Sequence, residues 1–190
     1  MKIGLYFGSF NPIHIGHLII SEYVYNNTSV EQVWFVLSPQ NPLKVSATLL
    51  KAYDRLHLLK LAIEDNPVFQ VSDVEFKLPV PSYTIDTLTY LNEKYPQHQF
   101  VVIMGSDSFQ NIKNWKNYEL LLKMYEIIIY ERPGFKVNTD VLGNHTLLQG
   151  APLLEISATQ IRSQLKMRKS IRYMLPANVY QEIIDNKYYQ

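Results

Sequence analysis

Continuous apolar runs alternate along the chain with stretches where apolar residues recur every three or four positions. Residues 2–8, Lys-Ile-Gly-Leu-Tyr-Phe-Gly, predict a strand that ends at Gly8. From about Gly16, Leu18, Ile19, Tyr23 and Val24 fall on one stripe and predict a helix. Residues 33–37, Val-Trp-Phe-Val-Leu, are apolar without interruption, as in a strand buried on both faces. A polar, Pro-containing loop is expected over 38–48, and a helix over 52–65 with Leu56, Leu59 and Ile63 on its inner side. Residues 69–76 alternate like a strand. Ser82 is placed to cap a helix starting near Tyr83, with Ile85, Leu88 and Leu91 as its apolar face.

The second half repeats the alternation. Strands are expected over 100–104, 126–130 and 153–156, and a helix over 115–124. Ser157 caps a helix over about 158–166, and Pro176 opens a last one carrying Val179, Ile183 and Ile184. The segment 132–150 is the most loop-like. This β, α, β, α order predicts an α/β fold with a doubly wound, mainly parallel sheet, helices on both faces, and a small helical portion over about 157–190. The 190 residues suit a single domain. Sheets of this kind bind ligands at the carboxyl ends of their strands, so the informative residues should follow strands.

Composition narrows the chemistry. There is no cysteine, which excludes disulfides, thiolate zinc sites and a cysteine nucleophile. The formal net charge of +1 gives no chain-wide attraction to nucleic acid or anionic membrane. The first residues are strand-like and lack the basic start and apolar core of a signal peptide. No apolar run approaches membrane-spanning length. A cytoplasmic globular protein is expected, without nucleic-acid or membrane partners; the sequence leaves its oligomeric state open.

The first strand runs directly into Gly8-Ser9-Phe10-Asn-Pro-Ile-His14-Ile-Gly16-His17. Gly8 is expected to let the backbone turn tightly and approach a ligand. The N–H groups that follow, and the positive end of the next helix, suit phosphate. His14 and His17 are three apart, share a face on a helical turn, and can donate hydrogen bonds to phosphate oxygens. Two isolated histidines at this spacing would more often be a core or metal-binding pair. The surrounding frame favours phosphate: Gly-x-Phe-x-Pro-x-His-x-Gly-His arises by chance on the order of 10⁻⁹ to 10⁻⁸ per position. A second element, Ile156-Ser157-Ala-Thr-Gln-Ile-Arg162, sets a hydroxyl and a guanidinium beside a helix N-terminus, which suits the β- and γ-phosphates of a nucleoside triphosphate.

The first element resembles the HxGH signature of the nucleotidyltransferase superfamily, and the second its ISxTxIR motif. Residues 81–88, Pro-Ser-Tyr-Thr-Ile-Asp-Thr-Leu, resemble a stretch of the bacterial nicotinate mononucleotide adenylyltransferases; Gly105-Ser-Asp107 followed by Trp115 resembles their GxD…W segment. The resemblance runs from Lys2 to about Pro176. It implies a Rossmann-like sheet in the order 3-2-1-4-5. It also implies backbone N–H groups near Ser82, Tyr83 and Thr84 that receive the nicotinate carboxylate, a Trp115 ring stacked on the pyridine, and an Asp107 near ribose and phosphates. A helix N-terminus favours a carboxylate over a neutral amide, and an indole face suits a planar electron-poor ring.

Two departures stand out. Asn11 occupies a position where bacterial members usually carry Asp, and 41–44, Asn-Pro-Leu-Lys, is a loose version of the family's PPHK-like loop, through which Lys44 is carried over as a phosphate contact. Arg55 and the segment 132–134, Arg-Pro-Gly, also match family positions, but a structural role for Arg55 and a strand-ending turn explain them as well. The implied reaction is in-line attack of the nicotinate mononucleotide phosphate on the ATP α-phosphorus. Gly8, Ser9, Phe10 and His17 would hold that phosphate, and His14, Lys44, Ser157 and Arg162 the departing pyrophosphate, with Mg²⁺ carried by ATP and no metal site built from protein. Three alternatives stay open: nicotinamide mononucleotide as acceptor, another acceptor such as phosphopantetheine, and a nucleotide-binding sensor without catalysis.

Overall fold

The structure is a computed structural model that describes residues 1–40, 49–137, 143–152 and 154–190. Among these residues six strands, β1 (Lys2–Gly8), β2 (Gln32–Leu37), β3 (Phe69–Ser72), β4 (Gln99–Gly105), β5 (Ile127–Tyr130) and β6 (His145–Leu148), form one sheet in the order β3-β2-β1-β4-β5-β6. Every pairing is parallel. Among the described residues seven α-helices accompany them: α1 (Ile15–Asn27), α2 (Ala52–Ile63), α3 (Thr84–Lys94), α4 (Ser106–Gln110), α5 (Tyr118–Met124), α6 (Ala158–Lys166) and α7 (Ala177–Asp185). This is the Rossmann-like order that the family resemblance implies, with one more strand at the edge.

Alternation along each buried strand divides the core into two. Val33, Phe35, Val101, Ile103 and Ile128 face a cluster completed by Ile20 and Val24 of α1, Leu58 and Leu59 of α2, Ile161 of α6 and Val179 and Ile183 of α7. Ile3, Leu5, Val102, Ile127 and Ile129 face the other, with Ile85, Leu88 and Leu91 of α3 and Leu121 and Leu122 of α5. Helices therefore cover both faces, which is why the central strands carry no polar side. Among the described residues no helix is long and apolar enough to cross a membrane.

Several expected elements shift. The strand expected over 69–76 stops at Ser72, and Val74–Lys77 forms a 3-10 turn that buries Val74 and Glu75. In α1 it is Ile20, not Ile19, that is buried. The helix expected from 115 begins at Tyr118, because Trp115 is extended and Asn117 adopts a left-handed φ of 52° that interrupts helical continuation. Residues 154–156 form no strand, and Leu154 is exposed; Leu153 lies outside the described residues. The sixth strand is His145–Leu148 instead, inside the segment read as loop. Among the described residues it pairs only with β5, and three of its four residues are partly or fully exposed, so it lacks the apolar signature of its neighbours.

Candidate active site

The chain builds β1, β2 and β3 outward in one direction, then crosses to β4, β5 and β6 in the other. Loops leaving β1 and β4 thus diverge, and a crevice opens above their carboxyl ends. A cavity of about 740 Å³ lies there. It is lined by Gly8, Ser9, Phe10, His14, Gly16 and His17 from the β1–α1 connection and by Ile156, Ser157 and Arg162 from α6 and its approach. Gly105 and Asp107 beyond β4, and Ser82, Tyr83, Thr84 and Trp115 on the opposite wall, complete the set. Every site residue read from the sequence is thereby brought to one cavity except Lys44, which lies outside the described residues.

The β1–α1 connection is held by packing rather than by glycine flexibility. Phe10 takes a φ of 41° and is buried against Tyr6, Phe35 and His17. Gly8 has no positive φ; a Cβ there would lie 2.8 Å from the Phe10 ring. Gly8 thus makes room for Phe10 beneath the loop, and its expected role as a tight-turn residue is corrected. Gly16 does the same for His14, whose Nδ1 would stand 3.1 Å from an added Cβ. Gly8→Ala is expected to lower stability by about 1–3 kcal/mol, the usual cost of overpacking a filled core, measurable by urea unfolding.

His14 is the N-cap of α1 and His17 its third residue, and their rings stack with centroids 3.7 Å apart. The His14 backbone N–H donates to His17 Nδ1 at 3.2 Å. A neutral His17 accepting at Nδ1 carries its proton on Nε2. His14 is 6 % exposed, and its Nδ1 is buried without a hydrogen bond in this structure. Burial, with a smaller contribution from the Arg132 charge, lowers its pKa from 6.5 to about 4. The neutral form is then favoured in the folded state, so this site's stability contribution is present above pH 6.5 and is lost as pH falls toward 4. Urea stability is expected to fall over that window, and His14→Asn should flatten the slope. Glu75 works in the opposite sense, because burial raises its pKa.

On the α6 side, Ser157 Oγ accepts from the Gln160 N–H at 3.2 Å, the cap expected of it, and keeps its own proton for another acceptor. Arg162 donates through Nη1 to the Asn11 carbonyl at 2.6 Å and through Nη2 to Thr159 Oγ1 at 3.3 Å, tying α6 to the β1–α1 connection. Asn11 is buried and accepts the Leu50 N–H on its side-chain oxygen at 3.1 Å, so an Asn here joins two loops. Asp107 pairs with Arg132 at 3.2 Å, directly over Gly105, where a Cβ would collide with both side chains. Arg132 lines the cavity; in sequence its Arg-Pro-Gly context matches a family segment but is explained equally well by a strand-ending turn.

On the opposite wall, Ser82 does not cap α3. Tyr83 is the N-cap, and the Ser82 hydroxyl donates to Glu75 Oε2 at 2.5 Å. The Asp86 and Thr87 N–H groups both reach the Tyr83 carbonyl, which leaves those of Thr84 and Ile85 at the open first turn. Lys116 pairs with Asp86 at 2.7 Å and lies 4.8 Å from the centre of the Tyr83 ring, so the residue after Trp115 is fastened to that turn. Glu75, Lys116, Tyr6 and Tyr130 also line the cavity and have no local sequence signal, because each reaches it through partners distant in the chain. The Tyr6 and Tyr130 hydroxyls hydrogen-bond each other at 2.9 Å.

A sheet switch point flanked by two helix N-termini with basic side chains defines a nucleotide-binding α/β protein. Residues 5–164 match the cytidylyltransferase-like family model, and the chain belongs to that family. It is 50% identical over 189 residues to the probable nicotinate-nucleotide adenylyltransferase of Cytophaga hutchinsonii, covering 100% of this chain and 98% of that one. It is 46% identical over 196 residues to the probable nicotinate-nucleotide adenylyltransferase of Flavobacterium psychrophilum, covering both fully. Within the larger family, these full-length identities make it a member of the nicotinate-nucleotide adenylyltransferases. The solved Plasmodium falciparum nicotinic acid mononucleotide adenylyltransferase complexed with NaAD shares the fold, with a TM-score of 0.83 at 22% identity over 99% of this chain and 97% of that chain.

Proposed function

We propose that the protein joins ATP to nicotinate mononucleotide, giving nicotinate adenine dinucleotide and pyrophosphate on the route to NAD. The observation that carries this reading is the meeting, in one cavity, of two anion-suited walls with a third suited to an aromatic acid. The β1–α1 connection and the start of α6 provide the first two, and the open first turn of α3 beside Trp115 provides the third. Membership of the nicotinate-nucleotide adenylyltransferase family supports the same substrates.

The acceptor phosphate is already nucleophilic, so the reaction needs no protein nucleophile and no covalent enzyme intermediate; positioning and charge stabilisation are enough. His17 donates from Nε2 to the α-phosphate as charge shifts onto its oxygens. Backbone N–H groups of residues 8–10 at the β1 terminus hold the same group. Ser157, Arg162 and His14 receive the departing pyrophosphate, and Lys44 joins them. Mg²⁺ arrives as part of the Mg-ATP substrate and uses phosphate oxygens and water as ligands. Backbone N–H groups near Ser82, Tyr83 and Thr84 at the α3 terminus receive the carboxylate, and Trp115 stacks on the pyridine ring. Incubation with Mg-ATP and nicotinate mononucleotide should yield the dinucleotide and pyrophosphate in equal amounts without an adenylylated enzyme. A sensor without catalysis would bind ATP and form neither.

A further inference from the structure

Glu75 is 2 % exposed and lines the cavity, yet no cation lies within ion-pairing range of it among the described residues. Hydroxyl groups satisfy it instead. Ser82 donates to Oε2 at 2.5 Å and Thr87 to Oε1 at 3.0 Å, while the Thr87 hydroxyl also reaches the Tyr83 carbonyl at 3.2 Å. The Ser38 side chain lies beside the carboxylate and, like Ser82 and Thr87, favours its charged form. Burying a carboxylate is costly unless it is fully bonded, and such a group adds little stability over a well-packed neutral one. Its visible effect here is geometric. It commits the Ser82 hydroxyl and fixes the 81–84 turn, so that turn presents backbone N–H groups to the cavity.

Ser38 carries the connection onward. Its N–H donates to the Gly8 carbonyl at 2.9 Å, and its own carbonyl accepts from Arg55 Nη1 at 2.9 Å. The same Nη1 donates to the Ser9 carbonyl at 2.6 Å. Ser38, hydrogen-bonded to the loop after β1, thus stands against Glu75, which is hydrogen-bonded to the first turn of α3.

We propose that Glu75 is a positioning residue for the pyridine-nucleotide subsite and that Ser38 ties it to the β1 loop, so the 81–84 turn takes its place from the loop that holds the ATP phosphates. This rests on the reading that the pyridine nucleotide occupies the turn at Ser82, Tyr83 and Thr84.

The test is steady-state kinetics of wild type, Glu75→Gln, Ser38→Ala and the double variant, with thermal melts alongside. Glu75→Gln is expected to raise KM for nicotinate mononucleotide by about tenfold, with KM for ATP within twofold and kcat within threefold. Ser38→Ala should raise the same KM by about threefold, and the double variant should match Glu75→Gln, because both act through one path. A purely structural residue would lower the active fraction and leave both KM values alone. Folded Glu75→Gln with unchanged KM for nicotinate mononucleotide, or with both KM values raised equally, overturns the proposal. Should Glu75→Gln not fold, an unchanged KM in Ser38→Ala overturns it equally. Wild-type enzyme that makes no product from nicotinate mononucleotide overturns the underlying reading and this proposal with it; a working wild type with unmoved variants overturns this proposal alone.

Discussion

Replacing His17 by alanine is expected to lower kcat by two to three orders of magnitude while leaving KM for ATP within a fewfold. The ring is held on every side: stacked on His14 at 3.7 Å, edge-on to Phe10 at 5.2 Å and to Tyr6 at 5.9 Å, with Nδ1 engaged by the His14 N–H. A donor fixed this way needs no reorganisation when charge develops on the α-phosphate, and loss of one such donor costs about 10²–10³ in turnover. The substitution also strands the His14 N–H, at a cost of about 1–3 kcal/mol, so the melt must be recorded with the rate. Single-turnover rates at saturating ATP separate the two effects. A His17→Ala enzyme that is folded and within a fewfold of wild type contradicts the assigned role.

Arg55→Ala is expected to be the most destabilising single change, by about 3–5 kcal/mol, the cost typical of breaking a buried charged network from one side. Arg55 is 1 % exposed and makes four hydrogen bonds, all to carbonyls: Leu50 at 2.9 Å, Ser9 at 2.6 Å, Ser38 at 2.9 Å and Pro39 at 2.7 Å. Burial lowers its pKa, and the carbonyls take the place of a carboxylate partner. Its fork joins the loops after β1 and β2 to the start of α2. Alanine would leave four carbonyls short of a donor and a cavity beneath the phosphate loop. Lysine, a point cation without the planar fork, should recover only part of the loss. Domains of ordinary stability hold about 5–15 kcal/mol in total, so urea unfolding will register the change clearly. A loss under about 1 kcal/mol contradicts the clamp assignment.

These two residues also mark what the sequence makes legible. His17 stands in a local pattern whose glycines and prolines are specific enough to be read unaided, and the structure puts it at the cavity where that pattern implies. Arg55 matches a family position near a helix start and reads chiefly as a structural residue, as it is; its four acceptors come from three segments and leave no local trace. The central strands are legible because burial on both faces demands uninterrupted apolar runs. β6 is not, since an edge strand with one neighbour keeps polar residues such as His145 and Thr146. Ser82 illustrates a subtler miss. Its position before a helix predicts a cap, but Glu75, seven residues earlier, takes the hydroxyl, and only the 3-10 turn at Val74–Lys77 makes that geometry available. Gly8 belongs to the loop its motif implies, but the constraint on it is the packed Phe10 ring rather than backbone freedom.

The central claim is that this cavity condenses ATP with a pyridine mononucleotide bearing a carboxylate. Pyrophosphate release from Mg-ATP, measured side by side with nicotinate and nicotinamide mononucleotides, tests it most directly. Rapid release with the acid and little with the amide is the predicted result; no release with the acid would contradict it.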